Sequence, residues 1–199
     1  MFVPYDECVT IMSIDPASGF MGLTISEYSL ASHQLHLVES ITINTSRLLT
    51  TSVAELYSMV TPNFIKLHLI SNLLAEYIRA YDPHVLVHEA TFCNPRLVTA
   101  FRSLTRFEMM IQNLCLNMPH KLPVKVFEAT KIKKCVGAKG GDKNLVKRGV
   151  LRLINDGEII PHDVKIALLD EHAIDSIAIG YTYAIELNQN IQDGYYLWE

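Results

Sequence analysis

Three carboxylates in this chain stand at places where a strand or helix would carry them into or beside a core. In "IMSIDPASGFMGLTI" (11–25), Ile11, Met12 and Ile14 read as a buried strand, and Asp15 ends it before Pro16 and a turn of small residues. In "PHVLVHEA" (83–90) a second apolar run ends on Glu89. In "DEHAIDSIAIGYTYAIEL" (170–187), Asp175 follows Glu171 by four residues and His172 by three, so the three share a helix face while Ile174, Ile177, Ala178 and Tyr181 can turn inward. Brought together by neighbouring strand ends, Asp15, Glu89 and Asp175 would repel and raise one another's pKa unless a cation sat among them. Oxygen donors in that number suit Mg²⁺, with Mn²⁺ a substitute. Two such ions, roughly 3.5–4 Å apart, can activate a water and stabilise the leaving oxygen of a phosphodiester. Each residue also has an ordinary explanation: a turn aspartate, a solvent-facing strand end, a Glu171 favoured by the helix dipole, a satisfied His172. Asp175, set among apolar residues, is the hardest to explain that way.

The elements that must position these groups follow from periodicity. Residues 8–14, 21–28 and 35–43 read as an antiparallel meander. Residues 52–60 and 63–80 carry helical spacing interrupted at Pro62, with Phe64, Leu67, Leu74 and Ile78 on one face. The run 83–90 is a buried strand, a long helix is expected from about Pro95 to Asn117, and "VKVF" (124–127) is a last strand. A helix from about Asp142 and a closing helix over 170–187 complete the chain. The ordering predicts an α/β fold: a ribonuclease-H-like, mixed five-stranded sheet with helices on both faces, formed as a single domain over 1–199.

Composition bounds the function. The chain has 199 residues, 49% hydrophobic and 19% charged, which suits one domain with a sizeable core. No apolar run is long enough to span a bilayer and the N-terminus lacks a signal pattern, so no membrane partner is expected. Cys8, Cys93, Cys115 and Cys135 are scattered without C-x-x-C pairing, which favours free thiols and a cytoplasmic setting. Net charge is −4, yet residues 121–152 hold ten Lys or Arg against Glu128 and Asp142. That segregation suits a polyanion held on one face and cations held by carboxylates elsewhere. The glycines of "KCVGAKGGDKN" (134–144) do not fit a phosphate-loop pattern, so a basic DNA-contacting loop is the better reading.

These residues resemble the RuvC family of Holliday-junction resolvases, in a form nearest its phage and viral branch. "SIDPASGFMG" is similar to the family's first-strand motif, with Ala17 in place of the usual glycine, and "VLVHEATF" to the strand that ends in a catalytic Glu. "VKVFEATKIKKCVGAKGGDKNLVKRGV" resembles the segment after the last strand, and "EHAIDSIAIGY" the closing helix. The resemblance implies that Asp15, Glu89 and Asp175 are metal ligands, with His172 at the place of the family's first closing aspartate and Glu171 one position off. It implies that Lys143 contacts DNA near the scissile phosphate, with Lys133 and Lys134 close to a second such lysine whose matching place holds Ile132. Lys131, Lys139, Lys147 and Arg148 belong to the same expected DNA-binding face. The implied protein is a homodimer in the cytoplasm, of a bacterial host if phage-encoded, with about two Mg²⁺ ions per site. It would nick symmetric strands of a four-way junction, leaving 5′-phosphate and 3′-hydroxyl ends.

The helix near 95–118 adds Leu97, Phe101, Leu104, Ile111, Cys115 and Met118 near heptad spacing, interrupted by Glu108, which suits either a dimer seam or core packing. Three other functions fit parts of the sequence. A nuclease of the same fold could act on forks, flaps or structured RNA. An actin-like ATPase also begins with a strand-end Asp, but would need a second phosphate loop. A catalytically dead DNA-binding protein would have no reason to keep three buried acids.

Overall fold

A computed structural model describes residues 8–17, 19–49, 60–91, 98–138, 140 and 144–194. Three strands open the chain: β1 (Cys8–Asp15), β2 (Phe20–Ser29) and β3 (Leu35–Asn44). Helix α1 (Pro62–Tyr81), strand β4 (Val85–Glu89), helix α2 (Val98–Asn117) and strand β5 (Val124–Phe127) follow. Helices α3 (Ala129–Cys135) and α4 (Asn144–Asn155), the short strand β6 (Ile159–Ile160) and the long helix α5 (Glu171–Gln192) close it. The strands form one mixed sheet in the order β5-β4-β1-β2-β3-β6, with β1–β2 and β2–β3 antiparallel and the β1–β4, β4–β5 and β3–β6 pairs parallel.

Alternation along the strands divides the core into two layers. Val9 and Ile11 of β1 and Val85 and Val87 of β4 pack with Ile174, Ile177 and Ala178 of α5 and with residues of α3 and α4. Met12, Ile14, Leu23 and Leu86 turn to the opposite face and meet Ile70 and Leu74 of α1 and Phe107, Ile111 and Cys115 of α2. Helices therefore cover both faces, as the periodicity predicts.

Among the described residues the sheet has six strands rather than five. The extra strand is two residues long, too short to show an alternating pattern, and pairs with β3 through Leu35 and His36. Helix α3 lies in the stretch read only as a basic segment, because a seven-residue helix shows barely two turns of periodicity. The buried face of α1 is Ile65, Ile70, Leu74, Ala75 and Ile78, whereas Phe64 is 60% exposed. Pro62 begins α1 behind the Thr61 cap, where a missing N–H costs nothing, and Asp82 ends it in the left-handed region. On α2 the buried stripe is Phe107, Ile111 and Cys115, so the spacing noted there reflects core packing for Ile111 and Cys115. Residues 52–59 of the helix expected at 52–60, and with them Cys93 and Leu97, lie outside the described residues, while Val60 is in a bend before α1.

Candidate active site

The parallel register between β1 and β4 pairs Ile11 with Val85 and Ile14 with His88. One step further brings Asp15 beside Glu89 at the carboxyl ends of adjacent strands, roughly 4.8 Å apart in backbone spacing. Period-two alternation puts both on the face that α5 covers. Asp15 pairs across the antiparallel side with Gly22. A Cβ at Gly22 would lie 1.9 Å from the carbonyl oxygen of His172, so the first turn of α5 can lie against β2 only where β2 has no side chain. The same logic recurs two turns along, where a Cβ at Gly180 would come within 2.9 Å of Ser13 Oγ. Between these points the buried hydroxyls of Ser40, Thr24 and Ser176 hydrogen-bond in series at 2.9 and 2.7 Å, satisfying polar groups inside the contact.

This close approach fixes the start of α5 over the end of β1. Asp170 caps the helix by accepting from the Ala173 N–H at 3.1 Å and from the Thr42 hydroxyl. Those bonds outweigh burial and hold the Asp170 carboxyl below the usual range. His172 Nδ1 donates to Asp15 Oδ2 at 2.8 Å, and its ring stacks on Phe20 with centroids 5.9 Å apart. The hydrogen bond sets the tautomer of His172 and leaves Nε2 as the nitrogen able to accept a proton or a cation.

Electrostatics tie the three acids into one group. Burial raises the Asp15 carboxyl above its ordinary value, against the pull of His172. Burial, then repulsion from Asp15 and Asp175, pushes Glu89 up to about 7. Burial, then repulsion from Asp15, pushes Asp175 up to about 7, with Glu171 adding to the push and His172 opposing it. Lys133 of α3 is the lysine that lowers both Glu89 and Asp175. Half-buried carboxylates that repel in this way favour a cation among them. Among the described residues, no three His, Cys, Asp or Glu side chains are drawn together closely enough to hold an ion as they stand. The donor chemistry nevertheless fits Mg²⁺, which keeps several waters and takes one or two carboxylates rather than a closed protein cage.

The remaining sequence candidates divide. Lys131 pairs with Glu186 of α5, as does Lys125, and both stand over the Phe127 ring. Ile132 is buried in the core while Lys133 and Lys134, its neighbours, are exposed. Lys147 is half-buried and donates to the Leu169 carbonyl at 3.5 Å, beside the start of α5, and Arg148 is exposed on α4. Glu171 is exposed in the first turn of α5. Lys139 and Lys143 lie outside the described residues. Sequence reasoning missed Gly22 and Phe20. An isolated glycine inside an alternating strand was the available signal for the first.

No protein-family model matches the chain, and no curated protein matches it by sequence. Solved structures do. RuvC of T. thermophilus in complex with Holliday junction substrate aligns over 94% of this chain and 98% of its own, with TM-score 0.67 and 14% identity. The yeast mitochondrial Holliday junction resolvase Ydc2 aligns over 97% and 87%, with TM-score 0.61 and 12% identity. The Fowlpox virus resolvase in its complex with substrate Holliday junction DNA aligns over 90% and 99%, with TM-score 0.55 and 16% identity. The chain has the α/β fold of the RuvC-type Holliday junction resolvases.

Proposed function

We propose that this protein is a divalent-metal-dependent endodeoxyribonuclease that resolves four-way DNA junctions. The observation that carries the reading is the electrostatic coupling of Glu89 and Asp175 to Asp15 near the carboxyl ends of β1 and β4, with His172 hydrogen-bonded to Asp15. There, burial and then the charge of Asp15 push both Glu89 and Asp175 up to about 7. The fold supports it, since solved structures of the same architecture include two resolvases in complex with Holliday junction DNA. Asp15, Glu89 and Asp175 would hold Mg²⁺, or Mn²⁺ in its place. The bound cation would supply positive charge to the phosphate oxygens as the bond breaks. Asp15 fixes His172 through Nδ1, so His172 offers Nε2 at a set position. Lys133 brings a positive charge to the rim of the acids, where an incoming phosphate is otherwise repelled. Lys134, Lys147 and Arg148 extend that positive face along α3 and α4, and binding there should weaken with salt through counterion release. Two copies acting as a homodimer would nick symmetric strands.

The test separates chemistry from binding. Asp15→Asn should abolish cleavage of a four-way junction in Mg²⁺ while junction affinity stays within a few-fold of the parent. Loss of binding together with cleavage would contradict a site that acts on the phosphate after the basic face has bound it.

A further inference from the structure

We propose that His88 is a positioning residue: its imidazole pins the peptide that follows Glu89 and so sets where that carboxylate points at the end of β4; this rests on the nuclease reading above. Alternation along β4 puts Glu89 on the face covered by α5. It puts His88 on the other face with Leu86, in the layer packed by α1 and α2. In the ladder His88 lies between Ile14 of β1 and Val126 of β5, and it is 0% exposed. Its Nδ1 donates to the Glu89 carbonyl oxygen at 2.9 Å. The Ala90 N–H, at the other end of that same peptide unit, donates to the Phe127 carbonyl at 2.8 Å. A peptide unit is planar, so bonds to its opposite ends fix its plane and with it the ψ angle of Glu89. The rotamers open to the Glu89 side chain depend on that angle.

Packing alone gives no reason for a histidine here. A carbonyl oxygen only accepts, so Nδ1 carries the proton. Burial lowers the His88 pKa, against the smaller opposing effects of the Glu89 carbonyl and of Glu108 on α2, so the ring is neutral. Nε2 is then a bare acceptor, and it has no hydrogen-bond partner among the described residues. A buried acceptor left unpaired costs stability, and an apolar side chain between Ile14 and Val126 would remove that cost. What leucine could not supply is the N–H that holds the Glu89 carbonyl. Stability and the geometry of the site therefore pull in opposite directions at this position, and histidine is the residue that serves the site. Groups that orient a cation's ligands change its affinity by roughly 10–100-fold when they are removed.

Three variants separate positioning from packing. His88→Leu removes both nitrogens, His88→Asn can donate from near the place of Nδ1, and His88→Gln reaches the place of Nε2 instead. Thermal unfolding of the DNA-free protein in EDTA gives stability. The rise in melting temperature as Mg²⁺ or Mn²⁺ is added gives the half-saturating cation concentration, and single-turnover cleavage of a four-way junction gives the rate at limiting cation. His88→Leu should melt at or above the parent temperature yet need at least about ten-fold more cation. His88→Asn should melt lower, because it underfills the site, yet stay within about three-fold of the parent in cation need. His88→Gln should need as much cation as His88→Leu. Parent-level cation need in His88→Leu, or a need in His88→Gln no greater than in His88→Asn, would overturn the positioning role and leave the nuclease reading standing. Should His88→Leu fail to fold, the contrast between Asn and Gln decides alone. No cation response in the parent, together with no cutting of any branched DNA, would instead overturn the nuclease reading, and the positioning role with it.

Discussion

Replacing Glu89 by glutamine should make the metal-free protein more stable while destroying its activity. Glu89 is lifted from its ordinary 4.5 to about 7 by burial and by repulsion from Asp15 and Asp175. At 1.36 kcal/mol per pH unit, that rise corresponds to about 3 kcal/mol against folding once the group is ionised. The side chain is half-buried rather than sealed from water, so solvent screening leaves about 1.5 kcal/mol as the usable figure. The folded state holds the proton more tightly than the unfolded chain, so stability is lost as pH rises from near 4.5 to near 7. Glutamine keeps the shape and has no charge to repel. For a chain of this size the gain corresponds to a melting temperature about 3–6 °C higher. Thermal unfolding in EDTA should show that gap at pH 8 and only a small remnant at pH 5. Added Mg²⁺ or Mn²⁺ should stabilise the parent more than the variant and close the gap. A Glu89→Gln protein less stable than the parent at pH 8, or a gap that ignores pH, would refute the electrostatic account of the site.

Other consequences follow from the same geometry. Gly22→Ala places a methyl group in the backbone of α5 and should cost about 3 kcal/mol or more, read by urea unfolding; a loss below about 1 kcal/mol would mean the helix can shift freely. Lys133→Gln should slow cleavage at least ten-fold at neutral pH and move the acid limb of the rate profile to higher pH, because Lys133 holds Glu89 and Asp175 down. Lys131→Gln should leave the rate within about two-fold, because that lysine is engaged with Glu186; single-turnover rates on a junction compare the two. At limiting cation the cleavage rate should fall below about pH 7, where Glu89 and Asp175 take up protons, and the limb should move to lower pH as cation is raised.

Most of the sheet was legible because strands 8–14, 21–28, 35–43, 83–90 and 124–127 each carry an apolar run or alternation bounded by Pro, Gly or polar turns. The same runs exposed Asp15 and Glu89, since a carboxylate closing a buried strand is visible without knowing its neighbour. Asp175 was legible from the apolar residues around it. What the pattern could not carry were facts of approach. Gly22 signals a close approach, but nothing around it says that the approaching element is α5, and nothing near Phe20 predicts a stack on a histidine some 150 positions away. The division between Lys131 and Lys133 was equally hidden, because it depends on which way each turn of α3 faces. Phe64 misled for a related reason: helical spacing alone does not say which residues of the apolar stripe reach the core, and Phe64 in the first turn of α1 is exposed.

The most direct measurement is cleavage of an end-labelled, immobile four-way junction in Mg²⁺, run beside a Y-fork, a flap and a plain duplex. Paired nicks at symmetric positions, confined to the junction, are the predicted result. Equal cutting of fork and flap would contradict junction selectivity, and no cutting of any of the four, in Mg²⁺ or Mn²⁺, would contradict the assignment of Asp15, Glu89 and Asp175 as a DNA-cleaving site.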